Sequence, residues 1–328
     1  MMKKGGTVFV AAFAACMFYI AGFGPERSIS ASENTNESIE WKTVVSIKEE
    51  AVPLASKPTG GGVRVPKASG TVTFNSNSVL VDASNTGSGY VMVQYSGDSQ
   101  KIKVQVIKSG GETYTYDLNS RSAYEVFPLT EGNGSYTVRV LEQVQGTQYA
   151  IKSSNQLQVN LTNEFEPFLY PNQYVNFSSG SAVVTKGAEL AASAPDSLGV
   201  VTNVYNYVVK NFTYDTALAN SVQSGYLPDV DQVLAKKKGI CFDYAAVMTS
   251  MLRSQGIPTK LVVGYTGSLY HAWVNVYIEG QGWVDNVIYF DGYDWKLMDP
   301  TFASSGGNDP SIKEYITKST NYKGKYTY

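Results

Sequence analysis

Hydrophobic and polar positions along this chain fall into four regimes. Lys3 and Lys4 precede an apolar run over residues 7–23, and the polar stretch GPERSISASENTNES follows it. A basic start, an apolar stretch, and Ser28 and Ser30 ahead of Ala31 predict a signal peptide over residues 1–30. Residues 31–70, ending in the Gly-, Pro- and Lys-rich KPTGGGVRVPKASG, read as a flexible linker with one short amphipathic helix at 39–52. Over residues 71–163 the spacing becomes period two. Segments 90–95, 101–107, 113–116, 122–127, 136–141 and 156–161 alternate between turn-forming stretches such as SGG and EGNG. Short strands at this spacing, without cysteines, predict a small all-β immunoglobulin-like sandwich. It holds no histidine and no acidic cluster with metal-ligand spacing, so its expected role is spacer or binding module.

A proline-marked connector at 164–171 leads to the fourth regime, where the period turns helical. Leu198, Val201, Val204, Tyr205 and Val208 share one face of a first helix. PDVDQVLAKKKG supplies a second helix ending at Gly239, and a third runs from Cys241 to the stop at Gly256-Ile257-Pro258. Apolar strands follow at 260–265, 272–278, 283–284 and 295–298. Helices followed by strands predict an α+β domain over residues 164–328.

Composition narrows the function classes. A net charge of -2 over 328 residues argues against a nucleic-acid partner, and the one dense basic run, Lys236 to Lys238, reads as a solvated turn. The chain has two cysteines, and Cys16 lies in the N-terminal apolar run. Three fates are open for that run: a cleaved signal peptide, lipidation at Cys16 after the lipobox-like Phe13-Ala14-Ala15, or an uncleaved anchor near the short limit for spanning a bilayer. Each places the rest of the chain outside the cytoplasm, secreted or at the cell surface, with any membrane contact made through the N-terminal segment. After cleavage Cys241 has no partner within the chain. It is then a reactive thiol, half of an intermolecular pair, or a small apolar core residue.

A thiol attacks as thiolate, and two features lower its pKa: a helix N-terminus and a neighbouring histidine. Cys241 has the first by pattern. His271, the only histidine, opens the strand HAWVNVYI and is the one candidate for the second. Asp299, at the tip of WKLMDPT, is placed to orient that imidazole. The blocks GICFDYAAVMTSMLRSQGIPTKLVVGY, HAWVNVYI and WKLMDPT together resemble the transglutaminase-like superfamily, relatives of the papain-like fold.

The resemblance covers about residues 198–302 and replaces no triad position. It implies Cys241 as nucleophile, His271 as base and then acid, and Asp299 as the histidine's partner. It implies a thioester formed from a carboxamide, with water or an amine as the second acceptor. The Cys241 N–H is one oxyanion donor, and the family's second donor, an upstream aromatic, falls on Tyr214 or Tyr226. Asp243 either braces the active-site loop or stabilises the first helical turn. Trp273 and Trp283 wall the acyl site or simply pack. Asp285, Asp291 and Asp294 lack the alternation of an EF-hand set and read as a polar hairpin tip, so neither metal nor cofactor is expected. The expected substrate is a protein or peptide amide, including cell-wall peptide. Hydrolysis is favoured over amine transfer because water needs no second binding site. The competing reading is a non-enzymatic surface module that uses this fold as scaffold. Oligomeric state is not readable from the sequence.

Overall fold

The computed structural model of the chain describes residues 62–120, 122–279, 282–284, 288–290, 295–297 and 322–328. The expected signal peptide, most of the linker, the three aspartates of the hairpin tip and Asp299 lie outside the described residues.

Eight strands form the N-terminal module: β1 (Thr73–Ser76), β2 (Val79–Asp82), β3 (Tyr90–Tyr95), β4 (Ile102–Lys108), β5 (Thr113–Asp117), β6 (Glu125–Pro128), β7 (Gly134–Gln145) and β8 (Gln148–Val159). They make two four-stranded antiparallel sheets, β1-β2-β3-β6 and β5-β4-β7-β8. The alternation predicted for β4 is real. Ile102, Val104 and Val106 are buried while Lys103 and Gln105 are half-buried, and inward residues of both sheets share one hydrophobic cluster.

Two strand expectations shift, and one hairpin is new. The strand expected at 122–127 begins at Glu125, because Ser122 sits at φ 57 and cannot continue a pleat. The one expected at 156–161 is the end of a longer ribbon, β8. β1 and β2, absent from the pattern reading, form a hairpin whose turn places Asn77 at φ 51. Residues at the end of the expected linker lie along this sheet, where the Lys67 N–H donates to the Tyr90 hydroxyl (3.1 Å) and the Gly70 N–H to Asp82 (2.7 Å).

The second half is mixed α/β. Its elements are α1 (Ala182–Ala192), α2 (Ser197–Asn211), β9 (Thr213–Tyr214), α3 (Thr216–Ser221), α4 (Val230–Lys236), β10 (Lys238–Gly239), α5 (Cys241–Ser254), β11 (Thr259–Thr266), β12 (Leu269–Ile278), β13 (Gly282–Val284), β14 (Ile288–Phe290), β15 (Trp295–Leu297) and β16 (Tyr322–Thr327). Strands β13-β12-β11-β16 form one antiparallel sheet. Helix α5 is buried along its whole length, with α1, α2 and α4 around it and the sheet beneath. Burial on every side explains why its sequence, CFDYAAVMTSMLRS, carries no broad polar face. Helix α1 crosses close to it: a Cβ on Gly187 would lie 2.9 Å from the Met251 carbonyl oxygen.

The second predicted helix ends earlier than expected. Lys237 adopts φ 49 and closes α4, so Lys238 and Gly239 leave the helix and pair in parallel with Thr213 and Tyr214.

The two halves meet through an aromatic group. Tyr174 packs on Tyr116, Phe242 and Tyr328, at ring separations of 5.8, 5.6 and 4.4 Å. The Thr130 hydroxyl donates to the Thr327 carbonyl (2.8 Å), and the Thr327 N–H donates to the Tyr114 hydroxyl (3.2 Å). Arg253, 1% exposed, donates to the carbonyls of Thr259 (2.9 Å), Tyr170 (2.6 Å) and Tyr328 (2.6 Å). One guanidinium thus ties α5 to the connector and to the end of β16.

Candidate active site

The site grows from the turn ahead of α5. Gly239 has an ordinary φ, so its need for glycine is steric: an added Cβ would lie 2.7 Å from the Cβ of Asp243. The Gly239 carbonyl accepts from the Asp215 N–H (2.8 Å), and the Lys237 carbonyl accepts from the Thr213 N–H (3.0 Å). One residue on, the Ile240 N–H donates to the Asp243 carboxylate at 2.9 Å, closing the first turn of the helix from its inner side. Cys241 follows as the first helical residue. Its sulfur sits where unpaired helical N–H groups favour negative charge. It is 2% exposed.

Asp243 is fully buried, and burial pushes its carboxyl up to about 6, against the opposing pull of the Ile240 N–H and the Tyr226 hydroxyl. The Tyr226 hydroxyl donates to it at 2.8 Å. That proton is the only one a phenol has, so the sequence candidate for oxyanion donor is committed to a carboxylate here. Tyr214, the other candidate, is half-buried and stands in register with Gly239, two residues ahead of the nucleophile.

His271 lies on β12 opposite Gly264 of β11 and is 5% exposed. Side chains alternate along a strand, so His271 shares its face with Trp273, and Tyr270 and Ala272 take the other. Trp273, 2% exposed, packs edge-on against Tyr322 at 5.3 Å beside Gly324. Tyr270 packs edge-on against Tyr265 at 5.3 Å. Burial chiefly raises its hydroxyl's pKa, and Tyr326, Tyr265 and Cys241 add to the effect. Trp283 meets Phe168 (5.3 Å) and Tyr277 (5.7 Å) edge-on, under the Lys260 ammonium (3.7 Å). Asp299 falls outside the described residues.

Among the described residues no group of three or more His, Cys, Asp or Glu side chains could hold a metal ion, and no helix is long and apolar enough to cross a membrane.

A cysteine thus opens the central buried helix, and a histidine lies on the sheet beneath it. Residues 185–287 match the model of the transglutaminase-like superfamily, and this core of the chain is transglutaminase-like. The matched stretch includes Cys241 and His271. Over 46% of its length the chain is 30% identical to YebA of Bacillus subtilis, an uncharacterized protein. It spans about a fifth of that relative, 22%. A solved protein from Cytophaga hutchinsonii, provisionally assigned as a cysteine protease, superposes with a TM-score of 0.37 at 16% identity, covering 73% of this chain and 83% of that one. The periplasmic domain of TgpA from Pseudomonas aeruginosa, solved with ethylmercury bound, gives a TM-score of 0.34 at 15% identity, covering 70% of this chain and 92% of that one.

Proposed function

We propose that the chain is an exported cysteine-dependent amide hydrolase or acyltransferase acting on protein or peptide amides, including cell-wall peptides. The observation that carries the reading is the place of Cys241: first residue of the central helix, after a turn that only glycine fits, inside the transglutaminase-like stretch. Cys241 attacks the carboxamide carbon as its thiol proton passes to His271. The tetrahedral oxyanion is met by N–H groups of the helix start. Collapse breaks the C–N bond, and the imidazolium returns the proton to the departing ammonia or amine. Water or a second amine then attacks the thioester with His271 again as base, the C–S bond breaks, and the imidazolium returns the proton to the Cys241 thiolate. Asp299 holds the imidazole's tautomer.

The alternation along β12 makes one demand of this mechanism. Alternation puts the His271 ring on the Trp273 face of β12, and the mechanism needs it within hydrogen-bond reach of the Cys241 thiol. Export is supported by the basic, apolar and small-residue order of the N-terminus. The strand order β2-β3-β6 facing β5-β4-β7-β8 supports reading the first module as immunoglobulin-like, a spacer or binding unit.

The burial of Cys241 favours a second reading, in which the thiol is a core residue and the fold is a scaffold. One experiment separates the two. The protein and its Cys241→Ala variant are incubated with a glutamine-rich protein, with and without a primary-amine probe, and the products are read by mass spectrometry. Cysteine-dependent probe incorporation means acyl transfer, and cysteine-dependent deamidation or cleavage means hydrolysis. Identical products from both proteins, together with an alkylation rate of Cys241 no faster than a free thiol's, would establish the scaffold.

A further inference from the structure

The mechanism uses Cys241 and His271 but leaves the best-defined polar pair near the nucleophile without a role. Asp243 is fully buried two residues past Cys241, on the inner side of the helix. Its two oxygens are divided: Oδ2 accepts from the Ile240 N–H at 2.9 Å, and Oδ1 accepts from the Tyr226 hydroxyl at 2.8 Å. Tyr226 lies in the loop between α3 and α4, so a residue 17 positions upstream of Asp243 reaches into the start of α5. The third contact is steric. Gly239 packs against the Asp243 Cβ so closely that no other residue fits, while its own carbonyl is held by the Asp215 N–H.

We propose that Asp243 and Tyr226 form a positioning clamp that holds the Gly239–Cys241 turn and thereby sets the reactivity of the Cys241 thiol. The inference deepens the enzymatic reading and rests on it only in calling the thiol a nucleophile. Neither residue touches substrate in this role. Tyr226 orients Asp243, Asp243 fixes Ile240, and Ile240 fixes where Cys241 begins the helix.

The clamp works while the carboxyl is ionised, because a carboxylate accepts both hydrogen bonds and a carboxylic acid must donate at one oxygen. The groups that set its charge come from several elements. Tyr226 and the Ile240 N–H stabilise the anion, and Asp215 at the end of β9, itself paired with Lys238 of β10 at 3.3 Å, opposes it. Asp229, ahead of α4, acts on Tyr226 in turn. Burial raises the carboxyl to about 6, and both hydrogen bonds favour the anion, so protonation below that pH weakens the two bonds while the carboxyl stays buried. Removing the Tyr226 hydroxyl removes one stabiliser of the anion, and loosening then begins at higher pH.

Two measurements on the whole protein test this. Iodoacetamide alkylation of the Cys241 peptide is followed by mass spectrometry from pH 5 to 8 for the protein and for Tyr226→Phe. The variant is expected to react about three- to tenfold more slowly near pH 6, with the acid limb moved up by up to about one pH unit. An acid limb at the same pH in both proteins overturns the clamp, even if the variant is less stable. Because Tyr226→Phe could fail to fold, the unmodified protein is also examined by amide hydrogen exchange. After correction for intrinsic rates, Ile240 is expected to lose protection relative to the amides deeper in α5 as pH falls through about 6, and a pH-independent ratio overturns the proposal. Neither readout needs a substrate. A shifted acid limb with no cysteine-dependent product defeats the enzymatic reading and leaves the clamp standing, and the converse result does the reverse.

Discussion

The Cβ that Gly239 lacks would fall 2.7 Å from the Cβ of Asp243, so these two residues can share the turn before α5 only while one of them is glycine. This gives a physical reason for a glycine two residues ahead of the nucleophile. Gly239→Ala must push backbone or carboxylate aside. The expected cost is about 1–3 kcal/mol of stability, as for other overpacked sites. Thermal unfolding measures it, and alkylation of Cys241 is expected to slow in the same variant. An unchanged melting temperature would show that the turn yields without cost.

His271 is predicted to supply the thiol's activation. In His271→Ala the pH midpoint of Cys241 alkylation is expected to move towards the roughly 8.5 of a free thiol. The helix N-terminus alone then accounts for whatever reactivity persists. A midpoint identical to that of the unmodified protein removes His271 from the mechanism.

Asp243 carries a stability signature of opposite sign to the usual salt-bridged carboxylate. Its folded-state carboxyl titrates at about 6, raised from 3.8. The folded protein therefore binds this proton more tightly than the unfolded chain does. Its contribution is most favourable below about 4, declines as pH rises through the window from about 4 to 6, and is constant above it. The full swing is roughly 3 kcal/mol at 1.36 kcal/mol per pH unit. Urea unfolding at intervals from pH 4 to 7, compared with Asp243→Asn, isolates the effect. The unmodified protein should gain on the variant as pH falls.

Arg253 is a junction made of hydrogen bonds to main-chain carbonyls. Arg253→Met leaves the carbonyls of Thr259, Tyr170 and Tyr328 without these donors. The Tyr328 carbonyl keeps the Leu261 N–H (3.0 Å), so at about 1–3 kcal/mol per buried group left unsatisfied a loss of a few kcal/mol is expected. Arg253→Lys should rescue little, since an ammonium cannot reproduce the planar fork. Chemical denaturation of both variants decides this, and near-native stability in the lysine variant would show that charge rather than geometry is what the site needs.

Much of this architecture could be read from residue order because it is locally encoded. The period-two run Tyr90–Tyr95 is β3, and the glycine ahead of Cys241 and the stop at Gly256-Ile257-Pro258 bracket α5. What escaped was set by tertiary context. Helix α1 carries Gly187 in its middle, a poor helix residue in isolation, and needs it for close approach to Met251. β16 is YKGKYT, too polar and glycine-bearing to read as a strand, and it forms because β11 offers it an edge. At the site, the helix start of Cys241 was legible. The pairing of Tyr226 with Asp243 was not, since it depends on how a loop without periodicity folds back on α5.

The seam that β16 makes with the β-module has a consequence for how the molecule comes apart. Thr327 bonds to Thr130 and to Tyr114, contacts that join positions 197 and 213 residues apart. Each such contact closes a very long loop, so β16 gains little until both halves are already near their final arrangement. The sandwich and the helical half should therefore lose structure in a single concerted transition, and assembly should be slow for a chain of this size. A protease cut between β15 and β16 should weaken this coupling, leaving Tyr174 and Gln173 to tie the second half to the β-module.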